Sequence, residues 1–319
     1  PGFSAAEVLI DEDDKVYGVA TGDMGVSKDG IAKDSWESGM ELHAKYTLFS
    51  EGARGSLSKF LIDNFELSKE SDHQKYAIGI KELWEVKEEN HQEGLVEHSM
   101  GWPLSEGTGG GSFLYHFGQN LVSIGYVVHL NYTNPYVSPF DEFQQFKTHP
   151  SIKKILEGGK RISYGARAIT AGGFQSVPKL FFPGGALIGC SAGFLNYPKI
   201  KGTHNAMESG ILAAESIIEN FLSENQNNDL FNYQEKYESS RIAKELKKVR
   251  NVKPFQSRYG VFLGTILSGI DMWLNTFGIT LPFTLSHIKP DYKTLKKASE
   301  CDEIIYPKPD GIFSFDKLS

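Results

Sequence analysis

The sequence predicts a mixed fold, α/β with α+β character, in which an antiparallel sheet lies between two strand–turn–helix units. Three patterns lead to this prediction. Strand-like and helix-like segments interleave along the chain, and the stretches 76–86 and 112–132 are rich in aromatic and β-branched residues. At 45–65 and again at 186–222, a buried strand runs through a glycine-containing turn into a helix. The 319 residues are enough for one large or two ordinary domains.

The first half of the chain predicts mostly strands. In residues 6–21, two apolar-rich runs flank the acidic turn 12–14, which is typical of a β-hairpin. Residues 45–65 predict a buried strand, a turn and an amphipathic helix. We expect a strand over 76–86 and a hairpin over 112–132, because both segments are rich in residues that favour a pleated sheet.

The next segments alternate between helix and strand. Residues 140–156 predict a helix that is interrupted at Pro150, and 186–190 predict a buried strand. A helix is expected from Thr203 to about Leu222. Its predicted apolar face consists of Met207, Ile211, Ala214, Ile218 and Phe221.

Charge and cysteine content exclude several classes of protein. The formal net charge of −7 argues against a nucleic-acid binder. The two cysteines, Cys190 and Cys301, form no disulfide framework, fit a reducing compartment, and cannot by themselves supply a four-thiolate metal site. Because the chain opens at Pro1 without a methionine or a signal peptide, we expect it to be a piece of a longer protein.

The turn at 189–207 is much longer than a plain connection requires. Gly189, Gly193 and Gly202 would let the backbone approach a ligand closely. Thr203 or Asn205 could cap the following helix, whose N-terminus offers free N–H groups and a partial positive charge. The turn therefore suits a phosphate or the pyrimidine edge of a flavin. The alternative is a glycine-rich loop that only reverses the chain.

A second strand–turn–helix site lies at 48–60. Glu51 could accept hydrogen bonds from hydroxyl groups, and Arg54 could pair with a phosphate or a carboxylate. The alternative is an ordinary surface arginine beside a helix cap. No G-x-G-x-x-G motif follows a strand near the N-terminus, so the first βαβ unit of a dinucleotide enzyme would lie before Pro1.

Two further segments suggest binding surfaces. The glycines at 109–111 remove side chains where a flat ligand could approach, although a flexible loop or a bulge would look the same. Residues 259–274 are apolar but shorter than the about 20 residues that span a bilayer, which leaves a buried core helix or one that dips into a single leaflet. A basic run precedes them, either a membrane contact or a solvated face, and consists of Arg241, Lys244, Lys247, Lys248, Arg250, Lys253 and Arg258.

Four long motifs carry a resemblance to a known family. They are EGARGSL at 51–57, GGSFLYH at 110–116, GCSAGFLNYPKIKGTHNAM at 189–207 and YPKPDGIFSFDKL at 306–318. With other stretches along almost the whole chain, they resemble the electron-transfer flavoprotein–ubiquinone oxidoreductases. FixC-like and geranylgeranyl-reductase flavoproteins share the general plan, but the YPKPDG ending favours the first family.

The resemblance implies an FAD-binding fold like that of p-hydroxybenzoate hydroxylase, with an inserted antiparallel-sheet domain that binds quinone. It implies that residues 1–68 and 181–225 belong to the FAD-binding domain. Residues 69–180 would form the ubiquinone-binding sheet domain. Residues 226–319 would form a membrane-facing helical segment and the start of the C-terminal region.

The resemblance also implies the cofactor contacts. Cys190 stands where the wider fold often has an aspartate, so backbone groups would do more of the holding. Ubiquinone would lie against Gly110 and Gly111, and this chain departs from the family at Gly109, where a tyrosine is frequent. FAD would contact Glu51, Gly52, Arg54, Gly189, Cys190, Gly202, Thr203, His204 and Asn205.

The implied function is electron transfer from reduced electron-transfer flavoprotein, through a 4Fe-4S cluster and FAD, to ubiquinone. The four cysteine ligands of the cluster would lie beyond Ser319. Segment 259–274 would rest on the mitochondrial inner membrane, at its matrix face, or on the cytoplasmic face of a bacterial membrane. No catalytic acid, base or metal ligand is assigned, since Ser56, Ser191, His116 and His204 have no triad or metal spacing. The alternatives are a FixC-like or geranylgeranyl-reductase-like flavoenzyme and a non-enzymatic membrane-surface module.

Overall fold

The computed structural model describes residues 2–223 and 229–318. The strands in these residues, in chain order, are β1 (Ala5–Ile10), β2 (Val16–Thr21), β3 (Met24–Val26), β4 (Ala32–Glu37), β5 (Glu41–His43), β6 (Thr47–Phe49), β7 (Tyr76–Glu85), β8 (Val96–Ser99), β9 (Gly110–Phe117), β10 (Leu121–His129), β11 (Lys160–Thr170), β12 (Phe181–Phe182) and β13 (Gly185–Leu187). The helices are α1 (Ser56–Asn64), α2 (Pro139–Phe146), α3 (Pro150–Leu156), α4 (Thr203–Leu222), α5 (Phe231–Ser239), α6 (Arg241–Lys248) and α7 (Val252–Thr276).

The chain divides into two compact units. Unit 1 consists of Pro1–Asp72 and Gly173–Val249, and unit 2 consists of His73–Gly172 and Arg250–Ser319. The predicted boundary at 225/226 falls within residues 224–228, outside the described residues. Helices α5 and α6 belong to unit 1 rather than to a C-terminal region, because their buried Tyr233, Tyr237, Ile242 and Leu246 join the core of unit 1. The functional roles assigned to the domains stay predictions.

The described residues of unit 1 form three small sheets. Antiparallel β1, β2 and β5 form one sheet, β3 pairs with β4, and the third has the order β12-β13-β6. In the third sheet β13 runs parallel to β6, with Leu187 opposite Phe49. The core beneath combines these strands with α1 and with the buried faces of α5 and α6. The predicted hairpin at 6–21 is confirmed as β1 and β2, and the predicted strand, turn and helix at 45–65 as β6 and α1.

Unit 2 is built on one antiparallel sheet with the strand order β11-β7-β10-β9-β8. The predicted strand at 76–86 and hairpin at 112–132 are confirmed as β7 and as β9 with β10. The predicted helix at 140–156, interrupted at Pro150, is confirmed as α2, which ends at Phe146, and α3, which begins at Pro150. The core is formed by large side chains on the sheet and these helices, among them Trp84, Tyr126, Phe143 and Leu156.

Helix α4 has the predicted bounds, but its predicted apolar face is not the face that is buried. Met207 is 66 % exposed and Ile218 is 56 % exposed, while the small residues Ser209, Ala213 and Ser216 are buried. The cause is a close approach of the backbone at Gly189, whose N–H donates a 2.9 Å hydrogen bond to Ser209 Oγ. Only a helix face of small residues fits against this turn. The predicted strand at 186–190 is also shorter, because β13 ends at Leu187 and a 3₁₀ turn covers Gly189–Ser191.

A buried ion pair lies inside unit 2. Lys147 Nζ is 2.8 Å from both carboxylate oxygens of Glu82, and neither residue is more than slightly exposed. Trp84 Nε1 donates to Glu82 at 2.8 Å, and the ammonium lies 4.8 Å from the ring centre of Phe315. Burial lowers the pKa of Lys147 to about 8, although Glu82 opposes this shift. The pair therefore depends on having both of its charges.

We expect Lys147→Met to destabilise unit 2 by about 3–5 kcal/mol, because it leaves the Glu82 carboxylate buried without its ammonium partner. Urea unfolding followed by tryptophan fluorescence measures the change. The control is Lys69→Met, which breaks an exposed pair with Glu66 and should barely move the unfolding midpoint. Equal midpoints for the two variants would contradict the assignment. The double variant Lys147→Met/Glu82→Leu should recover much of the lost stability.

Candidate functional site

The long turn before α4 depends on glycine in unusual backbone conformations. Gly189 has φ 60° and Gly193 has φ 84°, values that side-chain-bearing residues rarely adopt. Between them the chain makes the 3₁₀ turn that contains half-buried Cys190. It then continues to Gly202, which immediately precedes the first residue of α4. The predicted glycines thus shape the turn.

Glu245 on α6 holds this turn in place, a role that the sequence alone did not indicate. Its Oε1 accepts hydrogen bonds from Asn196 Nδ2 at 2.7 Å and from His204 Nε2 at 3.0 Å. Lys199 Nζ lies 3.5 Å from the same oxygen. Burial by itself would raise the pKa of Glu245, but the two donors and the nearby cation hold it below its ordinary value. One ionised carboxylate therefore fastens both the middle and the end of the turn.

The N-terminus of α4 has polar groups left over for a ligand. The N-cap residue of this helix is Gly202, which has no side chain to accept hydrogen bonds from the first N–H groups. Asn205 is fully buried and donates from Nδ2 to Phe194 O at 2.9 Å, while its Oδ1 has no hydrogen-bond partner among the described residues. The same holds for the buried Ser191 Oγ. A buried acceptor beside free helix N–H groups fits a ligand that offers both donors and acceptors.

The second predicted turn is built around Glu51, which caps α1. Its Oε2 accepts from the Ser58 N–H at 2.5 Å and from Ser58 Oγ at 2.7 Å. A Cβ on Gly55 would overlap the Glu51 side chain, so this turn is tightly packed. Gly52 has φ 86°, and Arg54 is exposed. The carboxylate thus has a structural role, and the proposed contacts of Glu51, Gly52 and Arg54 with a cofactor stay predictions.

The parallel pairing of β6 with β13 brings the two predicted turns together. Because Phe49 lies opposite Leu187, both turns leave the carboxyl edge of the same small sheet. In open α/β sheets, ligands bind outside this edge. The structure therefore places the groups at 51–54 and 189–205, which are far apart in the sequence, at one edge of unit 1.

Unit 2 contains a cavity of about 390 Å³. Its walls come from the loop before β9, the end of β10, the first half of α7 and the segment 286–289. Residues that define it include Lys75, Gly109, His129, Lys253, Gly260 and Lys289. Composition gave no sign of this group, because its members are scattered along the chain and become neighbours only through the sheet. The one hint in the sequence was Lys253, a charged residue that lies between the apolar residues Val252 and Pro254.

Gly110 and Gly111, the predicted quinone contacts, lie beside this cavity along the chain but are not among its lining residues. β8 ends opposite Ser112, so both glycines extend beyond β8 along the edge of β9. A Cβ on Gly110 would overlap Val127 O and the Leu104 side chain, and one on Gly111 would crowd Ser99 O. Both glycines are thus required by packing, and their contact with a quinone stays a prediction.

Gly109 has a direct structural consequence. A Cβ at this position would overlap the imidazole of His129, so no larger residue fits while His129 keeps its position. His129 is buried in the cavity wall. The departure from the tyrosine expected at Gly109 therefore makes room for an imidazole in this chain.

Helix α7 is bent back on itself at Gly260, which has φ 78° and ψ 176°. A Cβ on Gly264 would overlap the backbone of Gln256, and Ser268 Oγ donates to Val252 O at 3.3 Å, so the two halves pack closely. The buried residues of the second half are small or polar. Its apolar residues face outward, with Phe262 73 % exposed and Trp273 72 % exposed.

The basic run before α7 contains buried residues. Arg250 and Lys253 are buried in unit 2, and Arg250 donates to Leu281 O at 2.7 Å. Arg241, Lys244, Lys247 and Lys248 belong to α6 of unit 1. The prediction of one continuous exposed basic run is therefore wrong, because Arg250 and Lys253 are buried and the run is divided between α6 and α7. Within the described residues, no helix is both long enough and apolar enough to cross a bilayer.

Comparison with known sequences identifies the relatives of this chain. Residues 76–169 match the model described as ETF-QO, ubiquinone-binding. Over 327 residues the chain is 53 % identical to the human mitochondrial electron transfer flavoprotein-ubiquinone oxidoreductase, covering 100 % of this chain and 53 % of that protein. The chain belongs to this family. The Pseudomonas aeruginosa member is 51 % identical over 321 residues, with 58 % of it covered. The chain thus spans about half the length of the curated relatives it matches.

Solved structures confirm the predicted fold class of this family member. A geranylgeranyl bacteriochlorophyll reductase-like protein from Thermoplasma acidophilum aligns with a TM-score of 0.61 at 15 % identity, covering 92 % of this chain and 65 % of that one. The flavin-dependent brominase Bmp2 aligns with a TM-score of 0.51 at 15 % identity, covering 87 % and 64 %. At these identities the likeness concerns the fold alone.

We expect Glu245→Ala to loosen the turn before α4, since it removes two charge-assisted hydrogen bonds. If the variant lowers the stability of the closed turn by about 1–2 kcal/mol, the population of molecules in which the turn is open rises roughly 5- to 30-fold. Trypsin should therefore cut faster after Lys199 and Lys201, as measured by mass spectrometry of timed digests. Glu238→Ala on neighbouring α5 is the matched control. Equal cleavage rates in the two variants would refute the anchoring role of Glu245.

Proposed function

We propose that this chain is part of a membrane-associated oxidoreductase that passes electrons from reduced electron-transfer flavoprotein, through a 4Fe-4S cluster and FAD, to ubiquinone. The names of the relatives support this activity. The observation that carries it is the cavity in unit 2, which has buried polar groups in its wall and the outward-facing apolar half of α7 at its border. A quinone needs both a polar site for its ring oxygens and a path from the lipid for its tail.

FAD fits the carboxyl edge of the sheet in unit 1. The free N–H groups at Gly202–Asn205 and the buried Asn205 Oδ1 are suited to the hydrogen-bonding edge of an isoalloxazine ring. Gly189 and Cys190 would contact the cofactor mainly through the backbone. Glu51, Gly52 and Arg54 would contribute from the adjacent turn. When bound, the flavin supplies the electron transfer, and the protein supplies position, hydrogen bonds and shelter from water.

Ubiquinone would place its ring near the start of β9, where Gly109 borders the cavity and Gly110 and Gly111 follow. Val261, at the start of the second half of α7, also lines the cavity. The long tail would leave the cavity on that side and stay in the lipid. The ring would then meet polar groups of unit 2 while the tail keeps its apolar surroundings.

The segment 259–274 is proposed to rest in one leaflet. The second half of α7, after Gly260, buries small and polar residues and exposes large apolar side chains, which is the reverse of a normal surface helix. A contiguous exposed apolar surface of this kind marks a membrane or partner contact. The membrane would be the mitochondrial inner membrane at its matrix face or a bacterial cytoplasmic membrane at its cytoplasmic face.

The cluster and the donor protein complete the proposal. Cys190 and Cys301 are too few to hold four iron atoms, so the ligands of a 4Fe-4S cluster would come from outside these 319 residues. Reduced electron-transfer flavoprotein would bind the parent protein as the electron donor. A flavin reductase of isoprenoid chains would instead consume a double bond and need no such cluster.

The full-length protein is expected to purify yellow and to reduce a short-tailed ubiquinone when supplied with reduced electron-transfer flavoprotein. Asn205→Leu should weaken flavin binding about tenfold or more, because it removes a buried hydrogen-bonding side chain. Flavin absorbance after dialysis measures this, with Asn220→Leu on the same helix as the control. A colourless wild-type protein, or prenyl-chain reduction in place of quinone reduction, would refute the proposed function.

Membrane contact is tested on the exposed residues of α7. Phe262→Ser/Trp273→Ser should weaken binding to vesicles of phosphatidylcholine and phosphatidylglycerol at least tenfold, since burying each large apolar side chain contributes about 1.5–3 kcal/mol. Vesicle sedimentation gives the affinity. Ile211→Ser/Ile218→Ser on α4 changes a similarly exposed apolar surface of unit 1 and should have little effect. Retained binding by the α7 variant would place the membrane contact elsewhere.

A further inference from the structure

The wall of the cavity in unit 2 contains two buried lysines in different surroundings. Lys75 Nζ forms a 3.0 Å ion pair with Asp291 and also donates to Lys289 O. Lys253 Nζ donates instead to His129 Nδ1 at 2.9 Å and to Asn131 Oδ1 at 3.1 Å. Both of these acceptors are neutral. These hydrogen bonds fix the position of the Lys253 ammonium, and the nearby Asp291 favours its charged form.

The directions of the two pKa shifts indicate which partner carries the proton. Burial lowers the pKa of Lys253 to about 7, with Asp291 opposing this shift and Lys75 adding to it. Burial and the charge of Lys253 together lower the pKa of His129 well below its ordinary value. The imidazole is thus neutral and accepts at Nδ1, while the lysine holds the shared proton. A buried amine that titrates near neutral pH can give up a proton and recover it.

On the basis of the proposed function, we propose that Lys253 is a catalytic proton donor to one ring oxygen of the quinone, and that His129 and Asn131 position it. Reduction of a quinone to a quinol adds two electrons and two protons. The electrons come from the reduced flavin. One N–H bond of Lys253 breaks as one O–H bond forms, which leaves a neutral amine that solvent reprotonates. The second ring oxygen takes its proton from water.

The glycine at position 109 is what makes this arrangement available in this chain. A side chain there would overlap the imidazole of His129, and without His129 the ammonium would lose the acceptor at Nδ1. Gly109 also lines the cavity, so the space in front of the lysine and histidine remains open. Gly109 therefore keeps the cavity open and leaves room for His129, which positions the Lys253 ammonium.

The pH dependence follows from the groups around Lys253. The ammonium form predominates below about pH 7. Quinone reduction should fall as pH rises through this value, up to tenfold per pH unit. The charged or titratable groups that line the cavity with Lys253 are Lys75, Glu106, His129, Arg258, His287 and Lys289. Asp291 lies behind them, paired with Lys75, and favours the charged form of Lys253.

The test uses the full-length, flavin-loaded protein with reduced electron-transfer flavoprotein as the donor. Lys253→Met should lower kcat for a short-tailed ubiquinone about 100-fold, as expected for the loss of a general acid, and abolish the pH dependence near 7. Reduction of ferricyanide, which takes up no proton, should be unchanged. Lys253→Arg should fail to rescue quinone reduction, because arginine keeps its proton. Lys81→Met, an exposed lysine on β7, is the matched control.

The outcomes separate this inference from the proposed function. If the wild-type protein reduces no quinone, the proposed function fails. If it does and Lys253→Met retains full quinone turnover, or loses ferricyanide turnover equally, the proton-donor role is wrong. Should Lys253→Met not fold, the wild-type profile decides: a flat quinone rate between pH 6 and about 8.5 overturns the inference. His129→Leu should move the midpoint of that profile to lower pH, because the ammonium loses an acceptor.

Discussion

The parallel pairing of β6 with β13 is the contact on which the candidate cofactor site depends. Two short strands from distant parts of the chain lie side by side, and their carboxyl ends deliver two turns to one edge. Each turn has its own anchor, since Glu51 caps α1 and Glu245 fastens Asn196 and His204. A small sheet can therefore set the positions of many backbone groups that no single segment could arrange alone.

In two helices of this chain the small residues are buried and the large apolar residues are exposed, and in both the buried face closely approaches neighbouring backbone. α4 packs Ala206 and Ser209 against the turn at Gly189, and the second half of α7 packs Gly264 and Ser268 against the first half. In both cases the inner face must be small, so the large apolar residues are left outside. Tight packing therefore accounts for the small buried face of each helix, while the large apolar side chains lie on the opposite, exposed face.

Local pattern was enough to predict most elements, because alternation and helical spacing reflect backbone geometry within one segment. It failed at the buried face of α4, since spacing identifies an apolar stripe but does not identify the neighbour that the helix meets. It also failed at Lys253 and Arg250, which looked like a cationic flank and are buried. Their partners, among them His129 and Leu281, are far away in sequence, so only the folded chain reveals them.

The bend at Gly260 joins, within α7, the proposed proton donor Lys253 and the apolar surface that is proposed to contact the membrane. One arm carries the ammonium of Lys253 into the interior, and the other presents Phe262 and Trp273 to the outside. In a bilayer, the depth of the reacting ring below the lipid surface would then depend on the geometry of this bend rather than on the length of the substrate's tail. Such an enzyme would reduce quinones with different numbers of isoprene units at similar rates, because the tail beyond the ring stays in the lipid.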